Sequence, residues 1–256
     1  MRRVTLYPDA RSSLRPRATS RKSAGKRDHS RLSGAMTALL AIAACATAFA
    51  QAAPGGAPRF VVVLDAAHGG DDPGARLGSQ AEKAYTLALS VRLRSLLTAR
   101  GFSVVTTRES DATVDPDHRA EIANHANAQA CLSLHAAESG SGVHLFISSL
   151  APVAGTHFVP WKTAQARWIP RSLSLAGMLN SALSHANMAV TLGRTTMPAI
   201  DSMSCPAVAV EVAPERLSDG QGSASFDDPE YQTRVAEALA AALVQWRSEE
   251  RGERQP

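Results

Sequence analysis

Short apolar runs recur along the chain from residue 60 onward, and each is bounded by glycine, proline or polar residues. The first run, 60–64, is rich in β-branched residues, a composition typical of a strand buried on both faces in a parallel sheet. The same pattern predicts strands at 60–64, 103–107, 131–135, 143–147 and 206–212.

Segments whose apolar residues recur every three or four positions lie between these strands. The segment 82–100 has such a stripe and is followed by Gly101, the residue favoured just beyond a helix C-terminus. Asp115 and Pro116 are typical of a helix N-cap followed by a first-turn proline. The predicted helices are 82–100, 116–126, 174–186 and a last one that follows Asp228-Pro229 and passes through Trp246.

Strands that alternate with helices predict an α/β fold, with one domain built on a mostly parallel, twisted central sheet and helices on both faces. The folded domain is predicted to span 59–247. The segment 150–171 contains three prolines and has no clean period, which predicts an irregular surface segment. The polar residues 248–256 predict a frayed tail.

The basic charge of the chain is concentrated near its start. Residues 1–34 contain ten Lys or Arg and two Asp, a net charge of +8, whereas the whole chain has +4. The remainder therefore carries about −4, so composition gives no basic surface that would favour nucleic acid as a partner.

An apolar run without charges, 35–50, follows this basic segment and ends in Ala48-Phe49-Ala50. It predicts that residues 1–50 form a basic region plus a signal peptide, with export to the periplasm or cell envelope, and that 51–58 is a linker. Two alternatives stay open. Cys45 lies in a sequence like a lipoprotein processing box, which would leave a lipid anchor, and Met36 could be the true start.

Two cysteines remain if Cys45 leaves with the signal. Cys131 and Cys205 both lie at the starts of predicted strands, so they could be small buried residues or form one disulfide after export. They lack the paired spacing of a thiolate zinc site.

Four polar residues occur where the predicted fold would bring them together. His68 and His135 each follow an apolar strand, so both are expected at the carboxyl edge of the sheet, where open α/β sheets bind ligands. Glu82 opens the helix that returns from the first strand. Glu211 is the one charged residue in an apolar strand. Two imidazoles and a carboxylate are a common donor set for hydrolytic Zn²⁺, and a further carboxylate could act as the base.

Each of these residues also has a structural interpretation. Glu82 could be only a carboxylate favoured by the helix dipole, and His135 could be a hydrogen-bonded core histidine. Glu211 could form an ion pair with Arg194 or Arg216. Spacing alone does not decide between these alternatives.

The chain resembles the zinc-dependent N-acetylmuramoyl-L-alanine amidases, the peptidoglycan amidase family called amidase 3. Matching blocks occur in the family's order and cover essentially all of 59–247. They are VLDAAHGGDDPG at 63–74, EK at 82–83, TRESD at 107–111, Arg119 with IAN at 122–124, LSLHA at 132–136 and PAVAVE at 206–211. The resemblance implies one zinc ion per chain, held by His68, Glu82 and His135, with Glu211 as the catalytic carboxylate.

Three departures from the family pattern concern the surroundings of the site. Ala66-Ala67 stands where Pro-Gly is usual, the loop from Gly74 to Glu82 is short, and after Glu211 the chain continues Val212-Ala213-Pro214-Glu215 instead of a Gly-Phe turn. Glu215 is a second candidate for the base, because it lies beyond the strand end on a loop that begins with Pro214.

Together with the export signal, the resemblance implies an exported zinc hydrolase that cleaves the amide bond between N-acetylmuramic acid and L-alanine in peptidoglycan. The chain is expected to be a monomer. Besides peptidoglycan, an activator or a division protein is a candidate partner, and contact with the membrane is expected only if Cys45 carries a lipid. Two alternatives are an inactive relative that binds peptidoglycan or a partner protein, and a zinc amidase that acts on soluble muropeptides.

Overall fold

The structure, a computed structural model, describes residues 59–154, 158–216, 223–225 and 228–252. The predicted basic region, signal peptide, linker and Cys45 lie outside the described residues. Within the part of the chain that the structure describes, no helix is both long and apolar enough to cross a membrane.

Six strands form one central sheet, in the order β4 (Ser103–Thr106), β1 (Val61–Ala66), β5 (Ala130–Ala136), β8 (Ala207–Val212), β6 (Val143–Ser148) and β7 (Val190–Thr195). All neighbouring pairs are parallel except β6 with β8, which is antiparallel. The predicted mostly parallel sheet is therefore confirmed. Two pairs of two-residue strands lie outside the central sheet. Strand β2 (Arg76–Leu77) pairs with β3 (Gln80–Ala81), and β9 (Glu215–Arg216) pairs with β10 (Ser223–Ala224).

Helices cover both faces of this sheet, as predicted. They are α1 Glu82–Ala99, α2 Pro116–His125, α3 Ile169–His185, α4 Pro198–Asp201 and α5 Pro229–Gly252, with a 3₁₀ helix at Trp161–Arg167. A large apolar cluster joins α1, α3 and α5 to one set of strand residues, and a smaller cluster joins α2 and α4 to the alternate set. Because successive strand residues point to opposite faces, the two clusters lie on opposite sides of the sheet.

The cap signals in the sequence were accurate. The Asp115 side chain accepts a hydrogen bond from the His118 amide at 2.9 Å, and Pro116 follows in the first turn. Asp228 accepts hydrogen bonds from the amides that open α5. Gly101 follows Arg100, the C-cap of α1, and has a φ of 79°, a conformation that residues with a side chain rarely adopt.

Three local predictions were wrong. The segment 150–171 is not irregular throughout, since it contains the 3₁₀ helix, and α3 begins at Ile169 rather than at Ser174. Pro170 falls in the first turn of α3, where a missing amide hydrogen costs nothing. The tail does not fray after Arg247, because α5 continues to Gly252 and buries Glu250, which pairs with Arg171.

The strand β7 was missed because its sequence lacks an apolar pattern. It contains Gly193 and Arg194, and Leu192 is 54% exposed. An edge strand held mainly by its backbone hydrogen bonds to β6 gives little signal in the sequence.

Cys131 and Cys205 form a disulfide across 74 residues of sequence. It joins the start of β5 to the segment before β8, and both residues are buried. Of the two alternatives left open by the sequence, the structure therefore has the disulfide.

Candidate functional site

The turn after β1 presents His68 at the carboxyl edge of the sheet. His68 has a φ of 61°, and the chain turns through Gly69, Gly70 and Gly74, all at positive φ. A Cβ atom at Gly74 would lie 2.6 Å from His68 Cδ2 and 2.7 Å from Glu82 Oε2. The glycine therefore lets the backbone pass directly against the two side chains.

Glu82 is the first residue of α1, and 4% of it is exposed. Its Oε2 accepts a hydrogen bond from the Ala75 amide at 2.9 Å, and its Oε1 accepts one from the Ala136 amide at 3.0 Å. Two backbone amides thus fix the carboxylate in one orientation. A carboxylate that was present only because the helix dipole favours a negative charge there would not need such contacts.

The carboxylate of Glu82 lies between two imidazoles. Its Oε2 is 3.1 Å from His68 Nε2, and its Oε1 is 3.1 Å from His135 Nδ1. The two histidine rings are nearly perpendicular, with centroids 5.5 Å apart. His68, Glu82 and His135 are thus brought together, and one donor atom from each lies within 4.8 Å of the others.

This triad has the chemistry of a zinc site. Imidazole nitrogen and carboxylate oxygen are usual zinc ligands at about 2.0–2.2 Å, and three such ligands leave a fourth position open in catalytic sites. The donor atoms are close enough to share one ion, and among the described residues this triad is the one group that meets that condition. The residues present therefore fit the metal that the sequence predicts.

Further polar groups orient both imidazoles. Asp72 Oδ2 is 2.8 Å from His68 Nδ1, so the other ring nitrogen, Nε2, faces Glu82. On the other side, Ser133 Oγ is 3.3 Å from His135 Nε2 and donates a 2.6 Å hydrogen bond to Asp65. Such contacts fix the tautomer and direction of metal-binding histidines.

Asp65 is a buried carboxylate beneath the triad. Its Oδ1 accepts hydrogen bonds from Arg119 Nη1 at 2.6 Å and from Thr107 Oγ1 at 2.8 Å. Arg119 also donates to the backbone oxygens of Ala66 and His68, at 2.8 and 2.7 Å. One buried ion pair therefore holds the end of β1 and the turn that carries His68.

These contacts shift several pKa values. Burial alone would raise the pKa of the Glu82 carboxyl, but the hydrogen bonds with His135 and His68 outweigh it and lower that pKa. The hydrogen bond to Glu82 raises the pKa of His68, with burial opposing it. Burial also acts to raise the pKa of Asp65. The charge of Arg119 and the hydrogen bonds from hydroxyl groups outweigh burial, so the pKa of Asp65 is lowered.

Glu211 lies in β8 beside the triad. Its Cα pairs with that of His135 across the parallel β5–β8 register, so both side chains project from the same face of the sheet. The Glu211 side chain is 33% exposed, and its Oε1 lies 3.8 Å from His144 Nδ1. Arg194 instead donates to the backbone oxygens of Ser148 and Leu150, and the side chain of Arg216 is outside the described part.

Glu215, the second candidate base, is engaged elsewhere. It is 5% exposed and forms an ion pair with Arg234 of α5. Its carboxylate therefore supports the packing of α5, whereas the Glu211 carboxylate is partly exposed in the strand next to His135.

A cavity of about 310 Å³ adjoins the triad on the face covered by α2 and α4. His68 and His135 lie along one part of its wall. Its other lining residues include an apolar group, made of Val114, Pro116, Met197, Pro198, Ala199 and Ile200. The site thus has a partly apolar recess large enough for a portion of a substrate.

Two contributors at this edge could not be found from the sequence. Asp72 lies in an exposed glycine-rich turn, where acids are common, and its contact with His68 depends on the turn geometry. His144 lies opposite Glu211 only because β6 is antiparallel to β8, a pairing that the strand pattern did not reveal.

Known proteins are similar to this chain in sequence. The sequence model of the family described as N-acetylmuramoyl-L-alanine amidase matches residues 62–245. A relative from Bacillus subtilis, the sporulation-specific N-acetylmuramoyl-L-alanine amidase, is 33% identical over 141 residues, which cover 54% of this chain and 53% of the relative. Across the curated relatives that it matches, the chain spans between 21% and 53% of their length.

Solved structures share the fold at low sequence identity. One is the catalytic domain of the amidase CwlV from Bacillus (Paenibacillus) polymyxa, with a TM-score of 0.57, 23% identity and coverage of 74% of this chain and 98% of that one. Another is the CwlD amidase from Clostridioides difficile, solved in complex with the GerS lipoprotein, with a TM-score of 0.57, 20% identity and coverage of 74% and 99%.

Proposed function

The chain belongs to the N-acetylmuramoyl-L-alanine amidase family, and on this premise we propose that it is a zinc-dependent peptidoglycan amidase. The bond cleaved is the amide between the lactyl group of N-acetylmuramic acid and L-alanine. Its hydrolysis frees stem peptides from glycan strands, in remodelling of the cell wall or separation of daughter cells.

The observation that carries this proposal is the convergence of His68, Glu82 and His135 around one small volume. Two amides and two imidazoles surround the Glu82 carboxylate, and the pKa of Glu82 is lowered, so it is ionised at neutral pH. A zinc ion bound there would supply Lewis acidity toward the scissile carbonyl and lower the pKa of an attacking water.

Glu211 is the group that moves the proton. Glu211 is paired with His135 of the neighbouring strand β5, and its carboxylate is partly exposed, so that a water molecule can reach it. It accepts a proton from the attacking water and returns that proton to the departing nitrogen of L-alanine. The water oxygen bonds to the carbonyl carbon as its proton moves to Glu211, and the carbon–nitrogen bond breaks when the nitrogen receives that proton, so Glu211 regains its charge.

An exported location is consistent with the disulfide between Cys131 and Cys205, because disulfides persist in oxidising compartments. The proposed location is therefore the periplasm or cell envelope, with a lipid on Cys45 as the alternative route to the membrane. CwlD was solved in complex with a lipoprotein, and a protein partner for this chain, an activator or a division protein, is also proposed.

Purified exported protein incubated with intact sacculi tests the function. The expected product is stem peptide with a free L-alanine amine, released by the zinc-loaded protein and abolished by a chelator. The matched control Glu211→Gln should bind zinc but lose about 10²- to 10⁴-fold in turnover, the usual contribution of a general base.

The other outcomes would indicate a different function, a different substrate or a different base. Binding to sacculi without release in either metal state would indicate a wall-binding protein. Release from soluble muropeptides alone would indicate a different substrate. Full activity of Glu211→Gln would show that another group acts as the base.

A further inference from the structure

Three polar side chains form a row across the carboxyl edge of the sheet. Glu211 pairs with His135 on one side, in the parallel β5–β8 register, and with His144 on the other, in the antiparallel β6–β8 register. Directly paired strand residues project from the same face. The proposed base thus lies between a triad imidazole and a second imidazole that the triad does not include.

The two nitrogens of His144 have different surroundings. Nδ1 lies 3.8 Å from Glu211 Oε1, whereas Nε2 is buried and has no hydrogen-bond partner among the described residues. A proton on Nε2 would leave a buried N–H unpaired and would turn the Nδ1 lone pair toward a carboxylate. Both effects are unfavourable, so the tautomer with its proton on Nδ1 is favoured over the tautomer with its proton on Nε2.

The backbone at Gly140 covers the Nε2 side of this ring. Gly140 has a φ of 101°, and a Cβ atom placed there would lie 2.8 Å from His144 Cε1 and 2.9 Å from Nε2. A larger residue would therefore displace the imidazole. The close approach excludes water from Nε2 and leaves Nδ1 as the nitrogen that faces a polar group.

We propose that His144 is a positioning residue for Glu211. The imidazole donates its Nδ1–H to Oε1 after a small side-chain rotation, which fixes the carboxylate and leaves Oε2 free to exchange a proton with water. His144 keeps its own proton throughout the reaction. This inference rests on the proposed function, since it assigns a partner to the proposed base.

Three single variants test the role in catalysis. His144→Leu removes the donor at similar volume and should lower kcat about 10- to 100-fold, the range for loss of one hydrogen bond to a charged group, with KM and zinc content unchanged. His144→Asn places an amide donor near the position of Nδ1 and should restore most of kcat. The control His185→Leu alters an exposed histidine of α3 and should have no effect.

A double variant separates positioning from a structural role. In the Glu211→Gln background, His144→Leu should cause no further loss of kcat, because the carboxylate that it orients is already gone. Equal losses in both backgrounds, or wild-type kcat in His144→Leu, would overturn the inference while leaving the amidase function intact.

A spectroscopic measurement tests the contact between His144 and Glu211 independently of enzyme activity. Imidazole ¹⁵N shifts of the wild-type protein should show His144 as the neutral Nδ1–H tautomer, and Glu211→Ala should change those shifts. An Nε2–H tautomer, or shifts insensitive to Glu211→Ala, would overturn the inference even if no amidase activity were found with any substrate.

Discussion

The two faces of the central sheet are stabilised in different ways. On one face, α1, α3 and α5 pack large aliphatic side chains against the strands, and Leu132, Leu175 and Leu239 are fully buried there. On the other face, α2 and α4 cover a smaller cluster in which Ala120 and Ala209 are typical members. The first face is therefore held mainly by apolar packing.

The second face relies on polar and covalent connections. Asp65 pairs with Arg119 of α2, and the Cys131–Cys205 disulfide joins the start of β5 to the segment before β8. The Gln165 amide donates to the backbone oxygens of Met203 and Cys205, at 3.0 Å each. Specific connections of this kind hold the backbone around the triad while leaving the adjoining cavity open, which dense apolar packing would fill.

The largest expected effect comes from removing the charge of Asp65. Asp65→Asn leaves Arg119 buried without its counter-ion, and breaking a buried pair in this way costs about 3–5 kcal/mol of the free energy of unfolding. Zinc affinity should also fall, because Asp65 orients Ser133 and Arg119 holds the His68 turn. Denaturant unfolding and zinc titration measure the two effects.

Leu175→Ala is the matched change on the apolar face. It should cost about 2–5 kcal/mol through the cavity that it leaves, yet zinc affinity of the folded protein should be unchanged. The contrast between the faces would be wrong if zinc affinity fell in both variants, or in neither of them, while both lost stability.

Loss of the disulfide should have the next largest effect. Cys131→Ser with Cys205→Ser should lower the free energy of unfolding by about 2–4 kcal/mol, because the unfolded chain is no longer constrained by a loop of 74 residues. Thermal unfolding in the absence and presence of a reductant checks this. A reductant that left the wild-type melting temperature unchanged would contradict it.

The contribution of the second face to the free energy of unfolding should also depend on pH. The pKa of Asp65 is lowered from an ordinary value of 3.8, so its stabilising contribution is complete above pH 3.8 and disappears as the pH falls through the lower folded value. Below pH 4, wild type should therefore lose stability more steeply than Asp65→Asn. Parallel curves of unfolding free energy against pH would contradict this assignment.

The smallest effect is expected for Ser133→Ala. This change removes the hydroxyl between Asp65 and His135 Nε2, so zinc affinity should fall about 10- to 100-fold, as for other groups that orient metal ligands. Competition with a zinc chelator measures it. Ser90→Ala, a buried hydroxyl of α1 on the apolar face, is the control and should leave the affinity unchanged.

Much of the fold could be predicted because its signals are local. Apolar runs marked five of the six central strands, and Asp115 and Asp228 marked two helix starts. The strand β7 was not predictable from an apolar pattern, since it lies at the edge and is half exposed. Pro170 is one of the three prolines that predict an irregular segment, yet it lies in the first turn of α3, where a proline is favourable.

The site was predictable to the extent that it depends on strand ends. His68 and His135 follow parallel strands, and Glu82 begins the returning helix, so the topology alone brings them to one edge. The surroundings depend on registers and turn geometry that a sequence does not contain. The contact of Asp72 with His68, and the alignment of His144 with Glu211, are of this second kind.

The zinc content of the folded protein tests the central claim most directly. Elemental analysis of wild type, His135→Ala and Glu211→Gln, each shown to be folded, compares a proposed ligand with the proposed base. We expect one zinc ion per chain in wild type and in Glu211→Gln, and far less in His135→Ala. A full complement of zinc in His135→Ala, or its loss in Glu211→Gln alone, would contradict the assignment of the triad as the metal site.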